Sequence, residues 1–151
     1  MRHELALVGG CYLIAAFAVL ILVWRDPASR IVDGGPADPN QAAWWMRYAA
    51  NEIAHWRNPA LITAGMNAPA GVSVMWNPSL LAPGMALSVV TLLAGPQVSL
   101  TVMLTAGFAG SATALFWVLR RWSCALVPAA LGGLAYGFSP ALTQSAIEWH
   151  T

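Results

Sequence analysis

The sequence predicts an all-α polytopic membrane protein, with about three transmembrane helices and an interfacial amphipathic helix in a long outer loop. Three observations carry that prediction. Only 9% of the residues are charged and 58% are hydrophobic, whereas a soluble domain carries roughly 25% charged residues. Three apolar runs, 5–24, 97–119 and 122–140, contain no charged side chain. The chain also holds eight tryptophans, a residue that membrane proteins place at the headgroup level.

The first run, 5–24, reads LALVGGCYLIAAFAVLILVW. At 1.5 Å per residue it makes a helix of about 30 Å, one hydrocarbon core. A secretory leader has a shorter apolar stretch of about 7–15 residues and a small-residue cleavage site. This run ends in Leu22-Val23-Trp24-Arg25, so an uncleaved first span is expected. The loop 25–79 follows, with four arginines, four acids and six prolines. Within it, Asp38-Pro39-Asn40-Gln41 is a helix start: Asp suits the N-cap, Pro the first helical position, and Gln three residues on resembles a capping box.

That start predicts an interfacial helix over 39–57. Ala42, Trp45, Met46, Ala49, Ile53 and Trp56 recur at three- to four-residue steps and form an apolar stripe. Arg47, Asn51 and His55 fall at i, i+4 and i+8 and stack on another side, beside Trp44 and Tyr48. The stripe would hold the helix in the membrane plane, with the polar ladder turned toward the headgroups. There the planar donor fork of Arg47 suits a phosphate. Trp44 and Tyr48 suit either a sugar ring or plain interfacial anchoring.

Segment 80–95 is apolar but short, and Pro83-Gly84 interrupts its start. It is expected to be a short helix that dips into the interface or lies against the bundle, since it falls below spanning length. The second span, 97–119, is rich in Gly, Ala, Ser and Thr, which let helix backbones approach closely. The third, 122–140, is softened by Pro128 and Gly132-Gly133. The short Arg120-Arg121 turn and Arg2 place the amino terminus and that turn in the cytoplasm, by the excess of positive charge in short inner loops. Loop 25–79 is then extracytoplasmic, in a multi-pass protein of the cell membrane.

Several classes are disfavoured. There is no lysine and no basic run, which argues against nucleic acid as a partner. The spans hold no charged residue of the kind that marks ion-coupled transport pathways. Cys11 and Cys124 lie in apolar runs and form no metal or disulfide spacing. No His/Cys cluster or close carboxylate pair marks a metal site, and the spacing of Asp33 and Asp38 is only a weak hint of a divalent cation.

The order of segments carries a resemblance. A spanning helix, "ADPNQAAWW", "AHWRNP", "NAPAGVSVMWNPSLLAPG" and "AALGGLAYGFSPALTQSAIEWH" together resemble the GT-C-fold polytopic membrane glycosyltransferases of actinobacterial type, over about residues 30–150. The resemblance implies an enzyme of the cell envelope that transfers a sugar from a polyprenyl-phosphate donor to an acceptor hydroxyl on the outer face. It implies an acid in the first outer loop as catalytic base, which falls on Asp38 here, with Asp33 as competitor. It implies Arg47, Asn51, His55, Trp44 and His150 as substrate-binding residues and no cofactor beyond the lipid-phosphate donor, with a divalent metal left open. Members of that family are longer, so the chain is expected to be an amino-terminal part, inactive without the carboxy-terminal helices. Membrane lipids, the donor and those helices are the expected partners. The competing readings are a non-enzymatic membrane module, for transport or as a scaffold subunit, and an inactive truncated remnant.

Overall fold

In the computed structural model, residues 2–30, 38–59, 62–76 and 80–147 are described, except for the side chains of Asp38, Pro39, Trp76 and residues 144–147. The described residues are mostly helical, and three segments are long and apolar enough to cross a membrane: Arg2–Val19, Pro96–Arg121 and Leu126–Thr143. The chain divides into two compact units.

The first unit holds α1 (Arg2–Val19), α2 (Ile21–Trp24), α7 (Leu126–Gly137), α8 (Pro140–Ile147) and most of α6 (Pro96–Arg121). α2 continues α1 after a one-residue irregularity at Leu20, whose N–H still bonds the Ala16 carbonyl at 3.1 Å. Tyr12, Ala16 and Leu20 pack with Phe108, Ala112, Phe116 and Ala129 as one buried core. The large apolar side chains Leu7, Ile14 and Leu22 point outward instead, as they do where lipid is the solvent.

α1 and α6 run antiparallel. Glu4 pairs with Arg120 at 3.0 Å, while at the opposite end the Trp24 indole N–H donates to the Thr105 hydroxyl at 3.0 Å. The Tyr12 hydroxyl donates to the Ala130 carbonyl at 2.6 Å and so ties α1 to α7. Two hydroxyls within α6 are satisfied by their own helix: Thr105 donates to the Thr101 carbonyl at 2.7 Å and Thr113 to the Ala109 carbonyl at 2.6 Å. That removes the cost of an unpaired polar group in an apolar setting.

The second unit contains α3 (Asp38–Ala54), a two-stranded antiparallel hairpin of β1 (Ile62–Thr63) and β2 (Val72–Ser73), α4 (Leu81–Ala86) and α5 (Ser88–Ala94). In register, Ile62 faces Ser73 and Thr63 faces Val72. α3 packs on both α4 and α5. The first four residues of its stripe are buried, Ala42, Trp45, Met46 and Ala49, with Ala43 and Ala50 flanking, whereas Ile53 and Trp56, expected on the same stripe, are exposed. Gly84 meets it so closely that a methyl built there would lie 2.8 Å from the Ala49 Cβ. The partner of the α3 stripe is thus the chain's own α4–α5 pair, where the sequence pattern named the membrane interface.

Other boundaries differ from those expected. Segment 80–95 is two short helices broken at Leu87, not one. The third membrane-length segment starts at Leu126 and passes through a break at Phe138–Ser139 into α8, where 122–140 was expected. The corner from α5 into α6 is made at Gly95, with φ 98° and ψ 162°. Only glycine adopts that region without strain, and Pro96 then opens α6 at the position that needs no N–H. Across the corner the buried Thr91 and Ser99 hydroxyls share a 2.7 Å hydrogen bond.

Candidate functional site

The polar side of α3 is built by helical spacing. With Ala42, Met46 and Ala49 committed to α4–α5, positions 47, 51 and 55 fall on the far side. Arg47 and His55 are exposed there and Asn51 is half-buried. The His55 Nδ1–H donates to the Asn51 carbonyl at 2.8 Å, so in the neutral ring Nε2 is the acceptor. The backbone of Asp38 is the first residue of α3, and its side chain lies outside the described residues. Asp33 and His150 also lie outside them.

Trp44 is placed differently from a free sugar platform. Its ring stacks on Tyr48 at 5.3 Å between centroids and 4° between planes. Its other contacts are edge-on with Trp45 at 4.7 Å and with the loop at Gly65, where a methyl would lie 3.1 Å from the Trp44 Cζ2. One face of Trp44 is therefore occupied within the chain. The aromatic group holds the hairpin to α3, together with Val74, Leu81 and Met66.

The sequence reading missed the polar parts of this junction. The Thr63 hydroxyl accepts from the Gly65 N–H at 3.1 Å. Burial, and secondarily the Glu52 carboxylate, push the Tyr48 phenol above its ordinary value, which keeps it neutral at physiological pH. Glu52 in turn receives both arms of the Arg57 guanidinium, at 2.8 and 2.7 Å. Opposite charges bracketing the predicted helix end were the available signal for that fork.

The fork spans an unusual helix end. The Arg57 N–H bonds the Glu52 carbonyl at 2.8 Å and the Trp56 N–H bonds the Ile53 carbonyl at 3.1 Å. This is a Schellman stop, and its left-handed position is normally glycine. Here it is Trp56, with φ 56° and a side chain 98% exposed. A left-handed non-glycine residue costs about 1–2 kcal/mol, and the ring gains no packing within the chain to offset it. Trp56→Gly is therefore expected to stabilise the detergent-solubilised protein by about 0.5–1 kcal/mol, after allowing for the greater freedom of glycine in the unfolded chain. A thermal melt in which Trp56→Gly unfolds below the parent would contradict this account of the strain.

Among the described residues, no group of three His, Cys, Asp or Glu is gathered as metal ligands. By fold the chain belongs to the class of polytopic helical membrane proteins. No family model, no curated protein and no solved structure matches it.

Proposed function

We propose that the chain is the amino-terminal part of a membrane glycosyltransferase of the GT-C kind, which moves a sugar from a polyprenyl-phosphate donor onto an acceptor hydroxyl at the outer membrane face. One observation supports this reading above the others. A single helix opens with an acid, Asp38, and turns Arg47, Asn51 and His55 away from its packing surface. In this reading the Asp38 carboxylate takes the acceptor proton as the acceptor oxygen attacks the anomeric carbon and the lipid phosphate leaves. Arg47 stabilises the charge that develops on the leaving phosphate, which needs no protonation.

The orientation belongs to the same proposal. Glu4 and Arg120 pair at one end of the first unit, so the amino terminus and the di-arginine turn share a side. We assign that side to the cytoplasm by the positive-inside rule, which puts α3 outside. In membranes carrying the complete encoded protein, Arg47→Ala is expected to lower transfer from polyprenyl-phosphate sugars by about tenfold or more. Arg47→Lys should restore only part of it, because a point charge replaces a planar fork. Transfer by Arg47→Ala within about twofold of the parent, or labelling of an Arg121→Cys variant from outside intact cells, would remove the corresponding half of the proposal.

A further inference from the structure

The α4–α5 pair has its polarity inside out. The side turned into the unit carries Leu81, Gly84, Ser88 and Thr91, all buried, and the two hydroxyl residues are among the most polar side chains of the segment. The side turned outward carries Met85, Val89, Leu92 and Leu93, of which Val89 is 66% and Leu93 84% exposed. In water the large apolar side chains would be driven inward and the hydroxyls outward. The opposite arrangement is stable where the outer solvent is itself apolar.

Three further facts name that solvent. No charged residue occurs between Arg57 and Arg120. α5 passes through the single residue Gly95 into α6, one of the three membrane-length segments. The hydroxyl of Thr91 is satisfied inward by Ser99 at 2.7 Å and by the Leu87 carbonyl at 3.0 Å, so the outward face carries no hydroxyl that seeks water. Nor does the pair cross the bilayer. Leu81–Ala94 as one straight helix would reach only about 21 Å at 1.5 Å per residue, short of a hydrocarbon core of about 30 Å, and it is broken at Leu87.

We propose that α4–α5 is a non-spanning, lipid-embedded element whose outward face, Met85, Val89, Leu92 and Leu93, is covered by acyl chains of one leaflet. α3 then rides on it. Packed helices stand about 8–10 Å apart, so α3 is lifted one helix diameter out of the hydrocarbon and its Arg47 side is held at the depth of lipid phosphates. This requires no particular chemistry at the α3 site and stands or falls independently of the glycosyltransferase proposal.

The test uses the full chain with Cys11→Ser and Cys124→Ser, reconstituted into vesicles of phosphatidylethanolamine and phosphatidylglycerol. Nitroxides are attached in turn to Val89→Cys, Leu92→Cys, Leu93→Cys and Arg47→Cys. The expected result is collision with dissolved oxygen several-fold above collision with a water-soluble nickel chelate at 89, 92 and 93, and the reverse at 47. Chelate access at 89 and 93 equal to that at 47 would put the face in water and overturn the proposal. Exclusion of both reagents from 89 and 93 would also overturn it, because the cover would then be protein. The four residues are outward-facing, so the label disturbs little packing, and agreement among the three α5 positions guards against a locally misfolded variant.

Discussion

Asp38→Asn is expected to abolish sugar transfer while leaving α3 folded. The two expectations separate because one carboxylate would serve two purposes. As the first residue of α3, an acid is favoured by the positive end of the helix dipole and by the free N–H groups of the first turn. Asparagine caps about as well as aspartate, so helix content and expression level should barely change. Proton abstraction is another matter, since a neutral amide cannot accept a proton from the acceptor hydroxyl at any useful rate. General-base removal alone costs about 10²–10⁴-fold, which brings transfer near the detection floor of a membrane assay. Asp33→Asn should be mild by comparison. The measurement is sugar transfer from polyprenyl-phosphate donors in membranes with matched amounts of each variant of the complete encoded protein. Near-normal transfer by Asp38→Asn would leave that acid a structural cap and shift attention to Asp33.

Much of the helical frame was legible because its signals are long. A charge-free run such as 97–119 has few alternatives to a membrane-spanning helix, and α6 runs over Pro96–Arg121. The Asp-Pro start of α3 is equally local, since the cap chemistry lies in four consecutive residues. What escaped was decided at a distance or by very short elements. The hairpin has strands of two residues, too short to show a period-2 pattern. An apolar stripe states that α3 has a covered side but not what covers it. Lipid and the α4–α5 pair would select the same residues, and the structure answers with Gly84 against Ala49. The strained Trp56 was invisible because its sequence neighbours carry none of the glycine that normally announces a Schellman stop. For the site, the Arg47–Asn51–His55 ladder followed from spacing alone, whereas the occupied face of Trp44 depended on Tyr48 and on Gly65 in the following loop.

Gly137→Leu is expected to destabilise the first unit strongly. Ala129, Gly133 and Gly137 are buried at four-residue intervals on α7, the small-residue spacing that lets membrane helices approach closely. A methyl built at Gly137 would lie 2.5 Å from the Ala112 Cβ, 2.8 Å from its N and 2.9 Å from its Cα. Those are backbone and first side-chain atoms of α6, which have no rotamer to retreat into. The helices must therefore separate, and separation strains two long-range contacts: the Tyr12 hydroxyl bond to the Ala130 carbonyl at 2.6 Å and the stack of Phe108 on Phe138 at 5.8 Å. Overpacking of this kind costs about 1–3 kcal/mol, occasionally more. With a lost hydrogen bond of about 1 kcal/mol, the melting temperature should fall by about 10 °C at roughly 2–4 °C per kcal/mol. The control sits on the neighbouring helix. A methyl at Gly107 of α6 would have nothing within 4 Å, and replacing a helical glycine recovers about 1 kcal/mol of propensity. Gly107→Leu should therefore melt at or above the parent. Thermal melts followed by circular dichroism in one detergent compare the two, and equal melting temperatures for Gly137→Leu and Gly107→Leu would show that α6 and α7 do not meet at this glycine.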